Sequence, residues 1–109
     1  DEARHVAFGL AHLAAHAHRD PGLRDRLALA VHRRSASLQH TAGLNADVFD
    51  ALVLLAAGSL RPAALREGAA RVAALARDMD ATRQGYLRRL GYDDAQAAAL
   101  SSLHTRNFM

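Results

Sequence analysis

Residues 62–91 read PAALREGAARVAALARDMDATRQGYLRRLG, and this stretch decides the fold. Pro62 suits the first position of a helix, where its missing N–H would have had no partner, and Gly91 suits the residue just past the end. Between them Leu65, Gly68, Val72, Leu75, Met79, Thr82 and Tyr86 recur at alternating steps of three and four residues. That is the spacing of a helix–helix packing seam, so the segment predicts a long helix in a bundle.

Four shorter helices flank it. The first spans about Asp1 to His18, with Val6, Leu10, Leu13 and Ala17 as an apolar stripe at helical spacing. Asp20-Pro21 supplies an N-cap and a first-turn proline for a second helix reaching about His40, whose inner face is Leu23, Leu27, Val31 and Leu38. Gly43 breaks that helix, Asn45 caps a third over 46–57, and Gly58 ends it. Asp93 and Gln96 stand at capping-box spacing for a last helix to about Leu103. Residues 104–109 show no periodicity. The fold expected is all-α, an antiparallel helical bundle of about five helices, with no internal repeat, linker or second domain in residues 1–109.

Composition agrees and narrows the function. Half of the 109 residues are hydrophobic, much of that share is alanine, and aromatics make up only 5%. Such a chain favours helix and buries a modest core. The 14 basic residues are all arginine and outnumber the 11 acidic ones by 3, but they are spread along the chain. A nucleic-acid surface needs clustered cations with interleaved aromatics, and Phe8, Phe49, Tyr86, Tyr92 and Phe108 are not arranged that way; no nucleic-acid partner is expected. The absence of cysteine excludes disulfides, thiolate nucleophiles and zinc–thiolate sites. No apolar run approaches the roughly 18 residues of a membrane span. Ala51 to Ala57 is the most hydrophobic stretch, and Asp50 and Gly58 bound it. With no signal-peptide pattern, a cytoplasmic location is expected. The serines lie in no nucleophile elbow, and no glycine-rich phosphate loop is present.

The motif that carries chemistry is Asp1-Glu2-Ala3-Arg4-His5. In a helix Glu2 and His5 lie one turn apart on one face, so a carboxylate oxygen and an imidazole nitrogen can converge on one metal ion. Glu2, His5, Gly9, His12 and His16 form a single stripe, again by alternating steps of three and four. His12 and His16 are weaker metal candidates, because an i, i+4 histidine pair without a carboxylate is a poor chelate. Their plainer role is as polar groups at the bundle seam. Gly9 leaves room for a substrate or for close approach of another helix. Glu67, in the first turns of the long helix, is read as a residue that complements the helix dipole. His18, His32, His40 and His104 show no pattern and are expected at surface or capping positions.

Asp1 to Gly9 resembles the last metal-binding helix of the ferritin-like di-iron carboxylate superfamily. That group includes the ribonucleotide reductase small subunit, its ligand-binding oxidase relatives and N-oxygenases of aromatic amines. The run Leu100 to Met109 resembles the ending of bacterial ferritin-like proteins. The resemblance implies a dioxygen-activating oxidoreductase holding two iron ions, or iron and manganese. In it Glu2 is a bridging or terminal ligand and His5 a terminal one. Asp1 accepts a hydrogen bond from a histidine ligand on another helix, and Arg4 has no ligand role. A complete site needs a glutamate from each of two more helices and a second Glu-x-x-His. Glutamate occurs here only at positions 2 and 67. The chain is therefore expected to supply half of a site and to be inactive by itself, as the C-terminal part of a longer domain. The remaining ligands would come from N-terminal helices of the parent protein or from a partner chain, with a homo-oligomer as one form. Opening on Asp1 without an initiator methionine fits that expectation. Two other readings stay open: a non-catalytic helical interaction module with a vestigial site, and a histidine-rich binder of divalent metal.

Overall fold

The computed structural model describes residues 1–38 and 46–103, and every regular element among them is a helix. The order is α1 (Glu2–Arg19), α2 (Leu23–Leu38), α3 (Ala46–Ala57), α4 (Pro62–Arg89) and α5 (Asp94–Ser102). Five helices were expected, and five are present among the described residues. The expected extension of α2 to His40, the Gly43 break, the Asn45 cap and the tail with His104 and Phe108 lie outside the described residues.

Local chemistry explains most boundaries. Pro62 opens α4 as its first residue. Gly91 follows its end at φ 97°, a left-handed conformation open to glycine. There the Gly91 N–H donates to the Arg88 carbonyl and the Tyr92 N–H to the Leu87 carbonyl. The α5 capping box is complete: the Gln96 N–H donates to Asp93 Oδ1 at 2.7 Å, and the Gln96 side-chain oxygen accepts from the Asp93 N–H at 3.1 Å. One start differs from expectation. Pro21 lies in a turn and α2 begins only at Leu23, because Asp20 Oδ1 accepts from the Gly22 N–H at 3.0 Å and its carbonyl accepts from the Leu23 N–H. Arg26 reaches back to the same carboxylate, which holds Asp20 below the usual carboxylate range.

The long helix is the spine, but its packing face changes along its length. Near its start, Gly68 and Val72 are buried against α3. A Cβ on Gly68 would stand 2.6 Å from the Val53 carbonyl oxygen and 2.9 Å from the Ala57 backbone nitrogen, so only glycine lets the two backbones come this close. The chain axis turns through 116° between residues 48–57 and α4, an oblique crossing. Beyond Val72 the expected seam fails: Leu75 is 52% exposed and Tyr86 is 38% exposed. In that half α4 packs instead through Asp80 and Arg83, because the short α5 covers that side and leaves Leu75 half exposed.

Ala97, Leu100 and Ser101 form the buried face of α5. Ser101 donates to Asp80 Oδ1 at 2.5 Å and accepts from Arg83 Nε at 3.2 Å, while Asp80 Oδ2 accepts from Gln84 at 2.8 Å. A fully buried hydroxyl is thereby satisfied on both sides. Tyr92 ties in α2: its hydroxyl donates to the Arg24 carbonyl at 2.6 Å, and the Arg24 guanidinium donates to the Gly91 carbonyl at 2.6 Å. Burial, reinforced by Asp25, pushes the Tyr92 phenol above its ordinary range. The first helix touches α2 and α4 and buries only Leu10 and Ala17; Val6 and Leu13, expected in its packed stripe, are 44% and 37% exposed.

The buried hydrophobic set among the described residues is small: Leu10, Ala17, Val72, Tyr92, Ala97 and Leu100. The radius of gyration is 16.7 Å, and the molecule measures 55 × 29 × 28 Å. A compact domain of this length would have a radius near 13 Å, so helical surface is left open that a closed bundle would cover. Among the described residues no single helix is long and apolar enough to cross a membrane, and only the bent pair of α3 and α4 reaches that length and composition together.

Candidate metal centre

The first turn of α1 forms on Asp1. Its carbonyl accepts from the Arg4 and His5 N–H groups at 3.0 and 3.2 Å, which sets Glu2 and His5 one turn apart in helical backbone. Both side chains are exposed, and neither enters a hydrogen bond or ion pair among the described residues. They are free to bind a cation with one oxygen and one nitrogen.

Asp1 takes the N-cap position, yet its side chain caps no backbone N–H. It leans instead towards Arg4, with 3.9 Å between Oδ1 and the guanidinium and both side chains more than four-fifths exposed. An ion pair this open contributes at most about 1 kcal/mol. Arg4 thus makes a surface ion pair.

His12 and His16 face each other edge-on with ring centroids 4.5 Å apart, and Phe8 stacks on His12 at 6.0 Å. The edge-on packing places the two rings in contact with each other. A Cβ built on Gly9 would meet nothing within 4 Å, so the room expected there is open surface. Glu67 lies beyond the first turn of α4, is exposed, and accepts from the Arg71 guanidinium at 2.5 Å. His18 and His32 are exposed, as expected.

Among the described residues no three side chains of histidine, aspartate or glutamate gather into a cation site. Glu2 and His5 offer one carboxylate oxygen and one imidazole nitrogen, and two donors are too few to enclose an ion.

Two features escaped the sequence reading. One is the Asp80–Arg83–Gln84–Ser101 cluster, whose signal was a run of polar residues at i, i+3 and i+4 on the side of α4 later covered by α5. The other is a cleft of about 270 Å³ between α1 and the Gly91 turn, walled in part by His18, Arg24 and Arg89. Its polar walls are the His18 imidazole and the Arg24 and Arg89 guanidinium groups, and Arg24 is already engaged by the Gly91 carbonyl. No family model, curated protein or solved structure matches this chain.

Proposed function

We propose that this chain is the C-terminal part of a ferritin-like, non-haem di-iron oxidoreductase, and that α1 contributes Glu2 and His5 to its metal centre. The observation that carries the reading is the exposed and unengaged Glu2/His5 pair, one helical turn apart within the Asp-Glu-Ala-Arg-His motif. When bound, the iron pair would supply dioxygen activation. Glu2 would offer a carboxylate oxygen, bridging or terminal, and His5 a neutral imidazole nitrogen. Asp1 would turn from Arg4 to accept a hydrogen bond from a histidine ligand of another helix, fixing its tautomer. The remaining donors belong to other helices, either of the parent protein or of a partner chain. A cytoplasmic location goes with this reading.

The test is the iron content of the protein isolated from its native host. Glu2→Ala and His5→Ala should each lose most of the iron, and Asp1→Asn should weaken iron binding roughly tenfold to a hundredfold while leaving helix content unchanged. Wild-type iron in both alanine variants would sink the assignment. A second reading, a helical interaction module with a vestigial site, is favoured by one observation: Asp1 leans on Arg4 inside its own helix. In that case Asp1→Asn is nearly silent.

A further inference from the structure

The metal-donor stripe of α1 is open to solvent, and its arrangement is self-complementary. At about 100° per residue, Glu2, His5, Gly9, His12 and His16 fall within an arc of about 80°, turned roughly 110° from the buried Leu10 and Ala17. Exposed apolar side chains flank the stripe on both sides: Phe8, 74% exposed, on one, and Val6 and Leu13 on the other. The helix is acidic in its first turn, with Glu2, and basic in its last, with His16, His18 and Arg19. Two such helices side by side in parallel would set like charge against like. Antiparallel pairing about a two-fold axis sets the acidic end of each against the basic end of the other.

Gly9 fixes the register. It lacks a side chain and a Cβ there would meet nothing within 4 Å, so a second helix has room to come close at this point. Glu2 and His16 lie seven residues on either side of Gly9, and Val6 and His12 three residues on either side. With the two-fold axis at Gly9, Glu2 of one copy faces His16 of the other. His5, one turn from Glu2, stands beside the same junction. Within a single copy Glu2 and His16 are about 21 Å apart along the helix and cannot share an ion.

We propose that a second copy of this chain pairs antiparallel on α1 and completes a divalent-cation site from Glu2 and His5 of one copy and His16 of the other. The inference rests on the reading of Glu2 and His5 as metal donors, but not on an iron pair. Each dimer holds two equivalent sites. Each site has two imidazoles and one carboxylate, a donor set that suits iron(II) and related divalent ions and leaves positions open for water or substrate.

Cobalt(II) titration of the chain, followed by visible absorption and sedimentation, tests this; without cysteine, no thiolate competes. The wild-type chain should bind one cobalt per copy as a dimer. Glu2→Ala and His16→Ala should each abolish binding, and His12→Ala should retain it. All three positions are exposed, so the fold survives, which circular dichroism verifies. An equimolar mixture of Glu2→Ala and His16→Ala should regain roughly a quarter of the wild-type cobalt, because half of the dimers are mixed and each mixed dimer keeps one intact site. A wild-type chain that takes up no cobalt, a mixture with no recovery, or binding that needs His12 but not Glu2 overturns the pairing. Iron lost in the native protein on Glu2→Ala and His5→Ala but kept on His16→Ala removes the second copy while leaving the function proposed above intact. Insensitivity to all three removes both.

Discussion

Replacing Gly68 by alanine is expected to destabilise the protein, although alanine is the better helix former. In an open helix interior the exchange would gain about 1 kcal/mol. Here the added methyl meets the Val53 carbonyl oxygen at 2.6 Å and the Ala57 nitrogen and methyl at 2.9 Å. Two of those three neighbours are backbone and cannot rotate aside, so α3 must lift away from α4. Overpacking of this kind costs about 1–3 kcal/mol, which leaves a net loss of up to about 2 kcal/mol after the propensity gain. Gly85, in the same helix, has nothing within 4 Å of its built Cβ. Gly85→Ala should therefore shift stability the other way, by up to about 1 kcal/mol. Urea unfolding followed by circular dichroism compares the two. Equal stabilisation by both would show that α3 is not seated on Gly68.

The largest single loss is expected from Leu100→Ala. Leu100 is 5% exposed and is the bulkiest side chain that α5 buries. Truncation removes its transfer free energy and leaves a cavity, together about 2–4 kcal/mol. Because only six hydrophobic residues among the described ones are buried, little else holds α5 to the spine. The neighbouring Ser101 would then lose the shielding that makes its bonds to Asp80 and Arg83 strong. Leu55→Ala provides the contrast: Leu55 is 80% exposed, and its loss should stay within about 0.5 kcal/mol. Chemical unfolding of the two variants under one condition reads the difference. A Leu100→Ala variant as stable as Leu55→Ala would contradict the packing of α5.

What the sequence made legible follows the range of the forces involved. Pro62, Gly58, Gly91 and the Asp93/Gln96 pair act within one turn of backbone, and each boundary they mark is where they put it. Asp20 misled by two residues, because its carboxylate satisfied the Gly22 N–H in a turn before α2 could begin. The seam on α4 was legible only as far as Val72. Periodicity identifies a face that can be buried, but burial needs a neighbour, and the neighbour in the second half is an α5 that covers Asp80 and Arg83 instead of Leu75 and Tyr86. The hydrogen bonding across that contact depends on Ser101, which is 21 residues from Asp80 in sequence and carries no local signal. At the candidate site the spacing of Glu2 and His5 was readable because a helix fixes it. The i, i+4 spacing of His12 and His16 was equally plain, but their edge-on contact could not be foreseen from it.

The Glu2/His5 pair is read most directly by X-ray absorption at the iron edge, on iron-loaded protein from the native host. Its involvement predicts a first shell of oxygen and nitrogen only, with an outer-shell imidazole signal that weakens in His5→Ala, and with one oxygen donor fewer in Glu2→Ala. Spectra from both variants that superimpose on the wild type would contradict the assignment of these two residues as iron ligands.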